Sequence, residues 1–255
     1  MISIDKSLCV NCGRCMESCP MGIFRKNEAG IAEAGPQKRC IKCMHCSAAC
    51  PTRAVRFEGI GAETLYPKPV EDELVRLIEA RRSIRHFKPE APAKEILQAA
   101  LEAAAYAPSA KNRRVCRWTV LYGKERADEA AQLGLRWAVE TKADPALVAM
   151  SRGGMNMVTC GAPCVFICHA PRQADAVIDG SIAMTTLELL LVRAGLGTCW
   201  AGYFARLSEA APTLRAFLEL PEEDEVLCAL MAGCPGGDYY PNLPRRIVEK
   251  INWRD

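Results

Sequence analysis

The cysteines near the N-terminus carry the strongest chemical pattern of this chain. Eight of the fifteen lie within the first fifty residues, in the segments CVNCGRCMESCP (9–20) and CIKCMHCSAACP (40–51). Both segments have the spacing C-x2-C-x2-C-x3-C-P, in which three thiolates can wrap one side of an iron–sulfur cube as a tight loop. The chemistry that this pattern predicts is the transfer of single electrons at low potential.

The fourth cysteine of each segment follows on the next turn and cannot bend back to the same cube, so it ligates the other one. Two [4Fe–4S] clusters are therefore predicted, one held by Cys9, Cys12, Cys15 and Cys50 and the other by Cys40, Cys43, Cys46 and Cys19. A zinc site or a disulfide knot is the alternative. Zinc modules usually combine two separated C-x2-C pairs, and this difference in spacing favours the clusters.

Composition narrows the class of protein. The chain has 255 residues, is half hydrophobic and has a formal net charge of +3, which is too small to indicate a nucleic-acid partner. The N-terminus lacks the pattern of a signal peptide, and Glu188 and Arg193 interrupt the most apolar helical stretch, so we expect no membrane span. The many thiols fit a reducing compartment, and we expect the protein in the cytoplasm.

Residues 1–57 resemble the two-cluster bacterial ferredoxin family over the whole segment. Residues 1–60 contain nine basic and five acidic side chains, and this charge of +4 offsets the charge of about −2 on each oxidised cluster. Free ferredoxins are typically acidic, so we expect a fixed relay inside a larger enzyme. Lys38, Arg39 and Lys42 are candidates for docking an acidic donor such as a ferredoxin, and an ordinary solvated surface is the alternative.

The pattern of helices and strands after residue 57 predicts a second, larger domain. Residues 58–70 contain two glycines and two prolines and are predicted to be a linker. Residues 71–255 show helices alternating with short strands, which indicates an α+β body in which helices surround a small sheet. The predicted helices lie within 70–87, 91–108, 124–157 and 175–197, and the predicted strands within 115–123, 162–170 and 225–233.

Two features of the body predict a phosphorylated, planar redox cofactor. The segment RRSIRHF (81–87) places three arginines around Ser83, and arginine forks match phosphate oxygens in geometry and charge. The segment GLGTCWAGYF (195–204) is predicted to be a glycine-marked turn, and glycine lets backbone N–H groups approach a flat ligand closely. A cluster relay upstream also requires a site that receives its electrons.

Four segments together resemble the FMN-dependent nitroreductase family from about residue 70 to residue 255: RRSIRHF, APSAKNRR, GLGTCWAGYF and PRRIVEKINW. The resemblance implies an α+β homodimer with one FMN at each end of the subunit interface. It implies that Arg81 binds the FMN phosphate and that Ser83 and the backbone of Arg82 bind the ribityl chain. Arg85 would lie near flavin N1 and O2, where its charge favours negative charge on the ring, and Arg245 would close on the phosphate.

The same resemblance assigns two further groups. Residues of the APSAKN segment would reach the flavin of the other subunit, namely Pro108, Ser109, Ala110 and Asn112. The turn formed by Trp200, Ala201 and Gly202 would run beside the ring and offer an N–H group to N5. The chain departs from the family at residues 113–115, where Arg-Arg-Val replaces a common Gln-Pro-Trp type of run. The added charge would suit an anionic substrate.

These features together predict an oxidoreductase. Electrons would enter singly at the clusters, reach FMN and leave to a small planar acceptor such as a nitroaromatic, a quinone or an activated alkene. No side chain is predicted to act as a nucleophile. One alternative is a non-catalytic electron carrier or redox sensor, and another is the same enzyme reduced directly by NAD(P)H. The remaining thiols of interest are predicted to be buried and inert or to fill small apolar spaces: Cys160, Cys164, Cys168 and Cys199.

Overall fold

The structure is a computed structural model that describes residues 1–28, 30–66, 70–154, 156–239 and 251–254. Its contacts divide the chain into two units. The first is Met1–Ala80 together with the described residues from Asp238 onward, and the second is Arg81–Gly237. The helices in the described ranges are all too short or too polar to cross a membrane.

The first unit is built from very short elements. In chain order they are β1 (Ile2–Ile4), α1 (Arg14–Glu17), β2 (Phe24–Lys26), β3 (Ala32–Ala34), α2 (His45–Ala48), β4 (Val55–Phe57), α3 (Ala62–Leu65) and α4 (Glu73–Ala80). β1 pairs antiparallel with β4, and β2 pairs antiparallel with β3. Three-residue strands bury little apolar surface, so a unit of this kind depends on additional cross-links such as metal centres.

The two cysteine segments follow the same backbone path at a sequence offset of 31 residues. Asn11 and Lys42 both adopt left-handed conformations, with φ of 55° and 53°, and Gly13 and Met44 do so with φ of 79° and 59°. A left-handed conformation is uncommon for residues other than glycine. Its repetition at equivalent positions indicates that the loop geometry is imposed by what the loops must hold.

The predicted linker, residues 58–70, contains ordered structure in its described part. α3 lies within it, and Leu65 is completely buried in the apolar core of the first unit. The Ser47 hydroxyl donates a hydrogen bond to the Tyr66 hydroxyl at 2.9 Å. The segment around Leu65 and Tyr66 therefore packs against the core of the first unit. The chain then continues to α4, and the first unit extends to Ala80. The domain limits at residues 57 and 71 stay a prediction.

The second unit contains the larger sheet. Its elements are α5 (Lys94–Ala104), β5 (Arg117–Tyr122), α6 (Lys124–Thr141), α7 (Pro145–Arg152), β6 (Cys164–Pro171), α8 (Ala176–Arg193), β7 (Gly197–Trp200), α9 (Gly202–Ala210), α10 (Pro212–Phe217) and β8 (Asp224–Gly233). The strands form one antiparallel sheet in the order β5-β6-β8-β7. The predicted helices and strands of the body are all present in this unit, except for the helix within 70–87, which is α4.

The sheet is buried on both faces at its centre. Seven consecutive residues of β6, Cys164–Ala170, are buried. Because successive side chains of a strand point to opposite faces, such a run requires cover on both sides. α5 and α8 pack with each other and α8 also packs against β8, whereas α9 packs against β8 and groups with α6 and α10.

One local prediction of the body needs correction. The segment around Thr198 and Cys199 was interpreted as a turn, but Gly197–Trp200 is the strand β7, which pairs with β8 from Gly197 opposite Gly233 to Trp200 opposite Leu230. The strand begins at Gly197, and glycine is more typical of a turn than of a strand. The residues that follow it include Thr198 and Trp200, whose types favour strands. The turn itself is the junction at Ala201 between β7 and α9.

Substitution of Gly180 by alanine is expected to destabilise the second unit by about 1–3 kcal/mol. A Cβ atom at Gly180 of α8 would lie 2.7 Å from Leu227 Cδ1 and 2.9 Å from Leu227 Cβ. Rotation of the leucine side chain cannot relieve the second contact, because Cβ is fixed by the backbone of β8. The midpoint of urea unfolding should fall for Gly180→Ala, whereas Ser181→Ala on the same helix should leave it nearly unchanged. Equal midpoints would show that α8 can shift from β8 at no cost.

Candidate redox sites

The first cysteine cavity contains one complete predicted ligand set. It has a volume of about 320 Å³, and the cysteines in its wall are Cys9, Cys12, Cys15 and Cys50. The first three come from the loop before α1 and from α1 itself, and Cys50 is the second residue after the end of α2. The fourth cysteine in the wall of this cavity therefore comes from the other cysteine segment.

The second cavity has the reciprocal composition. Its volume is about 310 Å³, and the cysteines in its wall are Cys19, Cys40, Cys43 and Cys46. Apolar residues surround them, among them Ile23, Phe24 and Phe57. The structure thus brings together all eight predicted cluster ligands in two sets of four, and the cross-over of Cys19 and Cys50 joins the two halves of the unit.

The sulfur atoms of both cavities accept hydrogen bonds from the backbone. Ile23 N–H donates to Cys19 Sγ at 3.3 Å and Ala54 N–H donates to Cys50 Sγ at 3.1 Å, again at equivalent positions of the repeat. Lys42 N–H donates to Cys40 Sγ at 3.4 Å. Hydrogen bonds to ligand sulfurs stabilise thiolate charge and tune the potential of iron–sulfur clusters. The donor set and its surroundings fit such a cluster.

Burial disfavours the ionisation of two of these thiols. Burial, with smaller contributions from the neighbouring Cys50 and Cys12, raises the pKa of the Cys15 thiol to about 11. Burial also raises the pKa of the Cys46 thiol. A metal centre binds the thiolate form, so cluster assembly must displace these protons.

In the second unit, a buried carboxylate organises the predicted phosphate end of the cofactor site. Glu188 of α8 is 2% exposed. It accepts hydrogen bonds from Arg81 Nη1 at 3.2 Å, Thr198 Oγ1 at 3.1 Å and Trp200 Nε1 at 3.0 Å. A buried charge requires such partners. Through these hydrogen bonds, Glu188 links Arg81 of the arginine segment to Trp200, the last residue of β7.

The other residues of the arginine segment lie along β7. Ser83 forms a bridge with Thr198, and Ile84 N–H donates to Thr198 O at 2.8 Å. Arg82 is buried, and Arg85 is half-buried with its Nη1 donating to Ser83 O at 3.3 Å. The Arg85 charge lies close enough to Cys199 to act on the pKa of its thiol, against the larger effect of burial, which raises it. Arg81, Ser83 and Arg85 thus lie beside the strand that leads into Trp200.

At the predicted turn, the N–H group of Gly202 is available to a ligand, whereas that of Ala201 is not. Ala201 is buried, and its N–H donates to Ala229 O at 2.8 Å, so it is not available to a ligand. Gly202 is exposed and begins α9. The first N–H groups of a helix have no acceptor within the helix. Gly202, unlike Ala201, can therefore present an N–H group to a flat ligand.

The segment Pro108–Asn112 lies elsewhere along α8. Ala110 N–H donates to Oδ1 of the buried Asp179 at 2.9 Å, which fixes the segment to the N-terminal part of α8. Asp179 and Glu188 are nine residues apart on this helix, or about 14 Å along its axis. Within one chain, the structure does not bring Pro108, Ser109, Ala110 and Asn112 to the group around Arg81.

Arg113 and Arg114, the positive charges that depart from the family pattern, are partly compensated by neighbouring side chains. Arg113 donates to Gln173 Oε1 at 2.7 Å and to Asp175 Oδ2 at 3.2 Å. Arg114 Nε donates to Asn112 Oδ1 at 3.1 Å. The positive charge expected to suit an anionic substrate is therefore reduced at Arg113. Arg245, predicted to close on the phosphate, lies outside the described residues.

Two residues of the site were not predicted. Asp179 and Glu188 are acids in an otherwise apolar helix, and the pattern alone indicates for Glu188 only an interruption that argues against a membrane span. An acid on the buried side of a helix requires a partner, and this was the signal available in the sequence. Its partners could not be read from the pattern because they are distant along the chain.

Four of the seven thiols of the body, Cys160, Cys164, Cys168 and Cys199, have pKa values raised above the ordinary value of a thiol. Cys164 and Cys168 are completely buried in β6, and Cys199 is buried in β7. Burial raises the pKa of Cys164 to about 11 and that of Cys160 to about 12. Thiols with raised pKa values react slowly. The structure is therefore consistent with the predicted inert role of these cysteines.

The fold and the sites define a redox protein with a cysteine-lined head and an α+β body. The model of the nitroreductase family matches residues 78–234, and that of a 4Fe-4S dicluster domain matches residues 1–51. The chain belongs to the nitroreductase family and has an N-terminal ferredoxin-like 4Fe–4S domain. The predicted fold class and the assignment as a nitroreductase-type oxidoreductase are confirmed.

Known proteins resemble the body over their whole length. A nitroreductase with bound FMN from Desulfitobacterium hafniense is 27% identical, with a TM-score of 0.63 over 73% of this chain and 100% of that one. A nitroreductase with bound FMN from Bacteroides fragilis shares the fold at 22% identity, with a TM-score of 0.62 over 72% and 100%. A protein of Archaeoglobus fulgidus with the provisional name NADH dehydrogenase/NAD(P)H nitroreductase is 25% identical over 71% of this chain and 97% of its own.

Proposed function

We propose that this protein is an iron–sulfur flavoenzyme that takes up electrons at two [4Fe–4S] clusters and uses them at FMN to reduce a small planar acceptor. The observation that carries the proposal is the pair of cavities, each walled by four cysteines, on a chain whose body belongs to the nitroreductase family. A hydride donor needs no clusters, so their presence favours a one-electron donor. The acceptors that we propose are nitroaromatics, quinones or activated alkenes.

The FMN site is proposed from the arrangement around Glu188. Arg81 is 28% exposed on its side chain, and one of its nitrogens donates to Glu188. The carboxylate holds the guanidinium in one orientation, and a positioned guanidinium suits a phosphate. Arg85 would place positive charge near N1 and O2 of the ring, and Gly202 would donate an N–H group to N5. FMN supplies two-electron chemistry when bound, and the side chains bind and orient it.

A homodimer is proposed from the surface of α8 and from the position of Pro108–Asn112. Val177, Ile178 and Ile182 of α8 are 54%, 61% and 37% exposed, an apolar stripe that a second copy would cover. The separation of Asp179 from Glu188 keeps the Pro108–Asn112 segment from the flavin residues of its own chain, so it would serve the partner's flavin. Sedimentation should give twice the chain mass of 27.9 kDa.

The free thiols support a reducing location, and we place the protein in the cytoplasm. All fifteen cysteines are free of disulfides. Persistent free thiols are typical of reducing compartments.

Anaerobic purification tests the proposal directly. We expect about eight irons per chain, a matching amount of acid-labile sulfide and one FMN per chain. Reduction of the clusters by dithionite should be followed by reduction of the flavin and then by turnover of a nitroaromatic or a quinone. Protein without iron or without flavin would contradict the proposal.

Two alternative functions would give different results in the same anaerobic assays. A carrier or sensor would show flavin reduction without turnover of any acceptor. Direct use of NAD(P)H, which the name of the Archaeoglobus fulgidus relative suggests, would bleach the flavin as fast with NADH as with a reduced ferredoxin. A much slower reaction with NADH is expected.

A further inference from the structure

The two cysteine loops are equivalent in backbone but not in charge. The first loop is residues 7–13 and the second loop is residues 38–44, and the offset of 31 residues aligns Lys38, Arg39 and Lys42 with Ser7, Leu8 and Asn11. The equal φ values at Asn11 and Lys42 show that the aligned positions have the same local geometry. Three positive charges of the second loop thus have uncharged counterparts in the first.

All three cations of the second loop are presented to solvent. Lys38, Arg39 and Lys42 are exposed, and they have no ion pair with a carboxylate within the described ranges. Ile41, which lies between Arg39 and Lys42 in the sequence, is 58% exposed. Ile41 also lines the cavity of Cys40 and Cys43, and both of these cysteines are half-exposed. An exposed apolar side chain and three exposed cations therefore flank Cys40 and Cys43 of this cavity along the chain.

Such a surface has the properties of a transient docking site. Redox encounters between proteins use small interfaces, which are weak enough to allow turnover. Complementary charges at the rim accelerate the encounter, and an apolar centre excludes water at the contact. The occupant must then be acidic and must carry an electron near its own surface.

We propose that the second loop is the docking surface for a small acidic electron-carrier protein and that electrons enter at the cluster held by Cys40, Cys43, Cys46 and Cys19. This inference rests on the proposed function and names its donor and its entry point. In each encounter the reduced carrier loses one electron and the cluster gains one. Reduction of the acceptor by two electrons requires two encounters, and solvent supplies the two protons.

The test compares equal changes of charge on the two loops. Arg39→Gln with Lys42→Gln removes two positive charges from the second loop. Leu8→Glu with Val10→Glu adds two negative charges to exposed positions of the first, where Leu8 is 39% and Val10 is 62% exposed. Both double variants change the net charge by the same amount, and neither alters a cluster ligand. The rate of cluster reduction by a reduced, acidic two-cluster ferredoxin is measured anaerobically by stopped flow, from low to high salt.

We expect the second-order rate constant at low salt to fall about tenfold or more for the second-loop variant, and its salt dependence to flatten. The first-loop variant should lose less than about twofold, because its charges lie away from the encounter. The apolar centre is tested in the same way by Ile41→Ser, which should slow the reaction more than Val10→Ser does. Equal losses for the two loops, or an unchanged salt dependence after Arg39→Gln with Lys42→Gln, would overturn the proposal.

A small-molecule electron donor distinguishes failure of the docking surface from failure of the proposed function. The methyl viologen radical is a small cation that needs no docking surface, so its reduction of the clusters and the acceptor turnover that it supports should not be slowed in either double variant. Turnover with methyl viologen but no reduction by the ferredoxin in the wild type would overturn the docking surface and leave the enzyme intact. Absence of turnover with methyl viologen would refute the proposed function itself.

Discussion

Replacing Cys9 and Cys50 together is expected to remove one cluster and leave the other. Both cysteines line the same cavity, although they lie in different cysteine segments. Once Cys9→Ala has removed one ligand of that cluster, the loss of Cys50 costs no additional iron. The double variant should therefore retain about four irons per chain after anaerobic reconstitution. Replacing Cys9 and Cys19 together removes a ligand from each cavity and should reduce iron towards zero.

Alanine is used because it cannot ligate iron, and Cys168→Ala is the control. Cys168 is a completely buried thiol of β6, so its loss should leave the iron content unchanged. If each segment instead held its own cluster with its own four cysteines, the two double variants would exchange results. Retention of about four irons by Cys9→Ala with Cys19→Ala would refute the crossed arrangement.

Replacing Arg81 by alanine is expected to weaken FMN binding by about 10- to 100-fold, because hydrogen bonds from a charged donor contribute about 1.5–3 kcal/mol. The variant also removes one of the three donors to the buried carboxylate of Glu188. Loss of a partner of a buried charge destabilises the fold, which must be separated from the loss of affinity. FMN affinity is measured by fluorescence titration, and stability by thermal unfolding of the same samples.

The second variant Glu188→Gln makes this separation. Combined with Arg81→Ala, it removes the uncompensated charge and should recover part of the stability, but it should not recover FMN affinity. Arg136→Ala on the exposed surface of α6 is the matched control for loss of a guanidinium and should leave both quantities unchanged. If the double variant bound FMN as tightly as the wild type, the role of Arg81 in holding the phosphate would be refuted.

The parts of the structure that depend on local sequence could be predicted well. The two cysteine loops, the helices from α4 to α8 and the strands β5, β6 and β8 follow from spacing, periodicity and breakers such as Pro145 and Gly123. β7 was not recognised, because a strand of four residues is too short for its period to be seen and is defined by pairing with β8. The same reason explains why the sequence predicts a linker where the structure has α3 and the buried Leu65.

The sequence by itself predicted which four cysteines line each of the two cavities, because the reach of a short loop limits which cysteines can share one cube. It also determined the class of the body, through segments whose residue types have a direct chemical use. Only the tertiary structure decided which residues support those segments. Glu188 contacts Arg81 across 107 positions of the chain, and Gly202 rather than Ala201 keeps an available N–H group because β8 occupies the other. Contacts between distant residues depend on packing, and packing leaves no periodic trace in the sequence.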